Sequence, residues 1–169
     1  ALIGRNIAPG LNREFDITDW DWFDKNIGQT LKAQARSMIN FDEPLDITGY
    51  DIDENMIEIA KANAEAAGVG EDVTFKQLAA ADWSTDKING VLVANPPYGE
   101  RLGDEDAARQ LYSQMGHIYN KMPTWSKYIL TSDEEFESAF GKKATKKRKL
   151  YNGALKVDLY QYWGKKIRN

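Results

Sequence analysis

The residues best suited to chemistry are Asn95-Pro96-Pro97-Tyr98, which follow the apolar run Ile88-Asn89-Gly90-Val91-Leu92-Val93-Ala94. The run is short, rich in β-branched residues and stopped by proline, so it reads as a buried strand. Pro96 has no N–H and a fixed φ, and it pushes Asn95 toward extended backbone. Pro97 does the same to Pro96. The corner is therefore stiff. It holds the Asn95 amide, the Pro96 carbonyl and the Tyr98 ring in fixed relation, at the strand end where open α/β sheets bind ligands. The Asn95 side-chain oxygen and the Pro96 carbonyl are two acceptors that can grip one exocyclic amine. The Tyr98 ring is a platform for a planar base. An aromatic amine is a weak nucleophile because its lone pair is spread into the ring. Two acceptors on its hydrogens, in a dry site, localise that pair and aim it at an electrophile.

Asn-Pro-Pro-Tyr resembles the catalytic motif of the S-adenosylmethionine-dependent amino-group methyltransferases. Continued by Gly99-Glu100-Arg101-Leu102-Gly103, it is similar more narrowly to the guanine-N2 methyltransferases of large-subunit ribosomal RNA, in which an RNA-binding THUMP domain precedes this one. The resemblance implies that Asn95 and Pro96 take the target amine and that Tyr98 stacks on a flipped base. Pro97 and Arg101 are the further residues expected at the substrate. It also implies S-adenosylmethionine as methyl donor and ribosomal RNA as partner. Adenine-N6 methylation of nucleic acid and glutamine methylation in proteins use similar turns and stand as alternatives, as does a non-catalytic RNA-binding fragment.

The elements that must position this corner follow in order. Ala1–Asn6 reads as the last turn of a helix, and Ile7–Asn12 as a loop. Asp19 or Asp21 could cap a helix running to about Ile39. Its apolar positions Trp20, Phe23, Ile27, Leu31, Ala35 and Met38 follow helical spacing and should face the core. Leu45–Asp53 reads as a strand running into a helix capped by Asp53. Met56, Ile57, Ala60, Asn63, Ala64 and Ala67 should form its buried stripe, with Gly68 at its C-terminal end. Asp51, at the strand's carboxyl tip, can accept hydrogen bonds from ribose hydroxyls; the alternative is a turn-forming aspartate. The resemblance places the cofactor ribose there, with Ile52 flanking the adenine. After the strand Val73–Leu78, the resemblance sets Asp82 against the adenine amino group and keeps Asn95 among the cofactor contacts. Trp83 either covers the adenine or closes the core.

A helix over Asp104–Lys121 should bury Ala108, Leu111, Tyr112, Met115, Ile118 and Tyr119, leaving His117 off the stripe. A strand over Trp125–Ser132 leads to a short helix in which Ser132 and Glu135 suggest a capping box. Asn152-Gly153 between two β-like runs is a strong hairpin signal.

The 169 residues suffice for one domain with a core. Apolar residues make up 42% and charged ones 28%, as in soluble globular chains. The absence of cysteine and the single histidine remove disulfides, thiol nucleophiles and a multi-histidine metal site, and fit a cytoplasmic setting. The net charge of −4 does not advertise a nucleic-acid binder. Yet Lys142, Lys143, Lys146, Lys147, Arg148 and Lys149 cluster late, with Lys165, Lys166 and Arg168 beyond them. That run fits either a phosphate-facing surface or a solvated strand edge that discourages aggregation.

Strand and helix alternate with short links. The expected fold is therefore α/β: a Rossmann-like, doubly wound, mostly parallel sheet with a C-terminal antiparallel hairpin. Against the class I methyltransferase fold that the resemblance implies, residues 1–169 form a partial domain, incomplete at the N-terminus. The first strand and its glycine-rich cofactor loop are missing, and in the family that strand lies between the Asp51 strand and the Asn95 strand. Those two strands should each lack a neighbour.

Overall fold

The alternation of strand and helix folds as two sheets in the computed structural model, which describes residues 1–98 and 104–166. The chain divides into two compact units, Ala1–Ala79 and Ala80–Asn169.

The first unit holds α1 (Lys25–Ser37), β1 (Ile47–Asp51), α2 (Glu54–Ala66) and β2 (Val73–Gln77). β1 and β2 pair in parallel, Ile47 opposite Val73 and Asp51 opposite Gln77. The opening turn ends as a helix does: Asn6 takes φ 55°, Asn6 N–H donates to the Ile3 carbonyl and Ile7 N–H to the Leu2 carbonyl. That pair of bonds satisfies the last carbonyls of a helical turn. Arg5 ties this turn to the unit. It donates to the Glu43 carbonyl at 2.7 Å and to Asp72 Oδ1 at 2.5 Å, and both ionic side chains are 9% exposed. Its guanidinium holds the Asp72 carboxyl below the usual carboxylate range.

α2 starts where expected, with the Asp53 side chain accepting from Asn55 N–H at 2.8 Å. Gly68 follows it at φ 74°. α1 departs from expectation. Its cap is Asp24, after a 3₁₀ turn at Asp16–Asp19, and none of its residues is buried. Ile27, Leu31 and Met38 are 51%, 58% and 63% exposed. The apolar stripe is present at helical spacing, but only Phe23 and Ala35 of it are half-buried and none of it is fully buried. In α2 only Ile57 and Ala64 of the expected stripe are buried.

The second unit orders its strands β3–β4–β6–β5: β3 (Gly90–Ala94), β4 (Trp125–Thr131), β5 (Lys146–Asn152) and β6 (Leu155–Tyr162). β3 and β4 are parallel; β6 runs antiparallel to both β4 and β5. This is the expected parallel sheet with an antiparallel hairpin. The hairpin turn is Gly153-Ala154, with Asn152 paired to Leu155 and Gly153 at φ 61°. Glycine therefore sits first in the turn, whereas an Asn-Gly turn would put it second. Residues Trp125, Lys127, Ile129 and Thr131 point to one face of β4 and are buried. α3 (Asp104–Tyr119) and α4 (Phe136–Phe140) complete this core. Tyr112, Met115, Ile129, Phe136 and Tyr160 there are 0% exposed. Gly116 has to be glycine: a Cβ there would strike the Phe140 carbonyl, where α3 meets the end of α4.

β3 is not the buried strand its composition suggests. It has one ladder partner, β4, and Ile88, Val91 and Val93 are 66%, 64% and 76% exposed. β1 likewise pairs only with β2. Among the described residues, the Asp51 strand and the Asn95 strand thus each have one edge without a strand partner, as expected. Among the described residues no helix is long and apolar enough to cross a membrane.

Candidate active site

The Asn95-Pro96-Pro97-Tyr98 corner leaves the carboxyl end of β3, directly after Ala94. Asn95 and Pro97 are exposed, Tyr98 is half-buried and Pro96 is buried. The corner is closed on itself, because the Tyr98 phenol donates to Asn95 Oδ1. No described residue donates to the Pro96 carbonyl. Of the two acceptors meant for an amine, one is open and the other is held by the ring meant for the base. Asn95 Oδ1 keeps a second lone pair beside the one that the Tyr98 hydroxyl occupies.

Two tyrosines of α3 clamp the loops that carry the expected site residues. The Tyr112 phenol donates to the Pro97 carbonyl at 2.7 Å. The Thr131 hydroxyl lies 3.1 Å from the same phenol oxygen and accepts from Asp133 N–H at 3.1 Å. With the Tyr112 proton committed to Pro97, the Thr131 hydroxyl must donate to Tyr112, which fixes every proton in the chain. Burial pushes the Tyr112 phenol above its ordinary range, so it remains a donor. Two helical turns on, Tyr119 donates to the Ala80 carbonyl at 2.9 Å and pins the turn that bears Asp82; burial pushes its phenol up to about 12. The sequence marks both as members of an apolar stripe. A hydroxyl at the tip of a core side chain was the available signal that each needs a polar partner.

Beside Tyr98 lies an open cleft of about 760 Å³, lined also by Glu105, Arg109, Asp133, Glu134 and Glu135. Arg109 grips Asp133 with two bonds, Nε to Oδ2 at 3.0 Å and an Nη to Oδ1 at 3.2 Å. Burial pushes the Asp133 carboxyl up, but Arg109 and the Glu135 amide outweigh it and hold the group below its ordinary value. The capping box expected of Ser132 and Glu135 does not form: α4 follows Glu135, which makes no side-chain cap bond, and Asp133 Oδ1 instead accepts from Glu135 N–H at 2.9 Å in the turn before the helix. The rest of the wall is acceptor-rich.

The other expected residues stand as follows. Asp51 is exposed at the tip of β1. Its Oδ1 accepts from Asp53 N–H at 2.9 Å, so the turn-forming role is realised, and Oδ2 takes no bond from a described residue. Ile52 is 70% exposed, with its carbonyl accepting from Gln77 at 3.0 Å. Asp82 is exposed. Trp83 is 8% exposed and meets Tyr119 and Trp125 edge-on at 5.8 and 5.3 Å, so it closes the core. His117 is exposed, with Nε2 3.0 Å from Lys121 Nζ. Asp51 and Ile52 belong to the first unit, Asp82 and the Asn95 corner to the second. Arg101, with the rest of Gly99–Gly103, and Arg168 lie outside the described residues.

Known proteins are similar to this chain over most of its length. The Bacillus subtilis protein YpsC, a candidate RNA methyltransferase, is 52% identical over 165 residues, 98% of this chain and 43% of its own length. The ribosomal RNA large subunit methyltransferase K/L of Shewanella frigidimarina is 41% identical over 92% of this chain and 22% of its own length. The chain therefore spans less than half the length of these relatives. Among solved structures, the candidate methyltransferase SMU.472 in complex with SAH superposes with a TM-score of 0.94 at 49% identity, over 99% of this chain and 44% of that one. A Listeria monocytogenes protein predicted to be an N6-adenine-specific DNA methylase gives 0.89 at 58% identity, over 97% of this chain and 42% of that one. The family model of the RMKL-like methyltransferase domain matches residues 1–161. With the parallel strands, the terminal hairpin and the Asn-Pro-Pro-Tyr corner in place, the chain belongs to the RMKL-like methyltransferase domain family.

Proposed function

We propose that this chain is the methyltransferase part of an enzyme that methylates an exocyclic amine of a nucleobase in RNA, guanine N2 of large-subunit ribosomal RNA, with S-adenosylmethionine as donor. The observation that carries the reading is the corner at the tip of β3. Two acceptor oxygens and an aromatic ring stand there in a proline-locked turn that Tyr112 anchors from behind.

The residues of the chain fit the donor. The Asp51 carboxylate is oriented by its own turn and keeps one oxygen for a ribose hydroxyl. Ile52 is an apolar side chain held in solvent with no core to join, as an adenine-flanking residue would be. Asp82 stands on a turn pinned by Tyr119. When bound, S-adenosylmethionine supplies a methyl group activated by a sulfonium. Asn95 Oδ1 and the Pro96 carbonyl hold the two hydrogens of the target amine and turn its lone pair outward. Tyr98 stacks on the base, which must leave its duplex to arrive there. The amine sheds its surplus proton to water once alkylated, so the site needs no strong base.

Guanine is favoured over adenine by the cleft beside Tyr98. The Watson–Crick edge of guanine offers N–H donors at N1 and N2, whereas adenine N1 is an acceptor. Glu105, Glu134 and Glu135 on its wall offer acceptors to those donors, beside the donors Ser132 and Arg109, the latter already held by Asp133. YpsC and the Shewanella enzyme are named for RNA, which supports RNA, whereas the Listeria structure is named for adenine N6 of DNA and keeps that alternative in the test. A cytoplasmic site of action and an upstream THUMP domain, which would bring the RNA, belong to the same proposal. The test is methyl transfer from labelled S-adenosylmethionine by the native full-length protein to ribosomal RNA, DNA and protein side by side. Label in N2-methylguanine of 23S-type RNA is the expected result. Label confined to N6-methyladenine or to glutamine would refute it.

A further inference from the structure

We propose that the outer edge of β5 is a track for the backbone and bases of a single RNA strand, separate from the corner that holds the target amine. The inference rests on the RNA reading above, though its test does not depend on methylation.

β5 is the last strand of its sheet, paired only with β6. Its first four residues, Lys146, Lys147, Arg148 and Lys149, are all exposed. Strand geometry sends Lys146 and Arg148 to one side and Lys147 and Lys149 to the other. Lys147 is taken up internally: its Nζ lies 3.3 Å from Asp158 Oδ2 and 4.8 Å from the centre of the Tyr160 ring. Lys146, Arg148 and Lys149 have no partner among the described residues. Lys146 and Arg148 therefore lie about 6.6 Å apart on one side of the edge, with Lys149 on the other, so the free cations line the open edge from both sides.

Aromatic side chains flank the cations. Tyr151, two residues beyond Lys149 and on its face, is 68% exposed with no ring or hydrogen-bond partner among the described residues. Trp163 is 55% exposed and lies at the other end of the strand, its N–H on Thr145 Oγ1 at 3.2 Å. Charge alone would serve an edge that discourages strand-to-strand aggregation; an exposed tyrosine and tryptophan beside it add nothing to that role. Cations along a backbone with aromatic platforms beside them are what sequence-tolerant single-strand binding requires. Phosphates would rest on Lys146, Arg148 and Lys149, and bases would stack on Tyr151 and Trp163.

The experiment measures binding of a labelled, unstructured single-stranded RNA oligonucleotide to the native full-length protein across a range of salt. Replacing all three free cations (Lys146→Gln, Arg148→Gln, Lys149→Gln) should lower the salt slope by about 2, since each phosphate contact on a single strand contributes about 0.7. Tyr151→Ala should weaken binding about 5- to 100-fold and leave the slope unchanged, because stacking releases no counterions. The charge-preserving triple exchange (Lys146→Arg, Arg148→Lys, Lys149→Arg) should bind as the parent does. An unchanged slope in the triple glutamine variant, or equal loss in the charge-preserving one, overturns the track. If the protein methylates no RNA yet shows these slopes, the proposed function falls and the track stands. If it methylates RNA while the glutamine variant keeps the parental KM and slope, the track falls alone.

Discussion

The two units are built from similarly patterned sequence, yet they bury it differently. In the second, α3 and α4 cover one face of a four-stranded sheet, and side chains as large as Tyr112, Phe136 and Tyr160 are fully buried there. In the first, the buried apolar residues are Leu11, Ile57, Ala64 and Val69. The sheet has two strands, so its stability rests on packing against α2. Trp20, Trp22, Ile27, Leu31 and Met38 stand more than half exposed. Helical periodicity fixes which side of α1 is apolar; it says nothing about what covers that side. The comparison separates a core that holds itself from an apolar pattern left largely exposed among the described residues.

Paired truncations sharpen this contrast most. Phe136→Ala removes a fully buried ring that meets Tyr112, Phe140 and Tyr160 at 5.0, 5.1 and 4.6 Å, and it should cost about 3–5 kcal/mol in urea unfolding of this chain. Leu31→Ala on the open face of α1 should cost less than about 0.5 kcal/mol. A loss of 2 kcal/mol or more, on the order of a core substitution, would show that α1 is covered after all. Tyr112→Phe comes next. It keeps the ring against Phe136 but strands the Thr131 hydroxyl in a core where Thr131 is 0% exposed, a loss of about 1–3 kcal/mol. Because the same phenol anchors Pro97, turnover of the native enzyme should fall about tenfold or more with cofactor affinity unchanged. A drop in stability without one in turnover would leave Tyr112 a packing residue only.

The smallest effect runs the other way. Lys127 is 3% exposed, and its Nζ donates to the Met122 carbonyl at 2.5 Å. Burial, aided by Lys142, lowers its pKa to about 8. In the unfolded chain it sits near 10.4, so between those values the unfolded state binds more protons and stability rises with pH. Above pH 10 the trend reverses, because Tyr119 and Tyr162 hold pKa values raised by burial and stay protonated in the fold. Lys127→Met should stabilise the second unit by about 1–2 kcal/mol below pH 8 and flatten the rise between pH 8 and 10. Thermal melts across that range would show it, and an unchanged pH profile would mean the charge is solvated.

Much of this could be read before the structure, and the failures share a cause. Asp53 as a cap, Gly68 past a helix end, the β5–β6 hairpin and the exposure of His117 follow from local chemistry, where the partner is a few residues away. The edge position of β3 and the bare face of α1 depend on which neighbours are present, and composition carries no such information. The grip of Tyr112 on Pro97 joins residues fifteen apart through an atom that hydrophobic patterning ignores. At the site, sequence chemistry found the corner at Asn95. The bond from Tyr98 that closes it depends on a rotamer that no pattern encodes.

The central claim is that the Asn95 carboxamide aligns the target amine. Asn95→Ala in the native full-length protein, assayed for methyl transfer and for S-adenosylmethionine binding, tests it most directly. The account predicts turnover reduced by about 10²–10³ with cofactor affinity nearly intact. Full turnover in that variant would remove Asn95 from the chemistry and contradict the account.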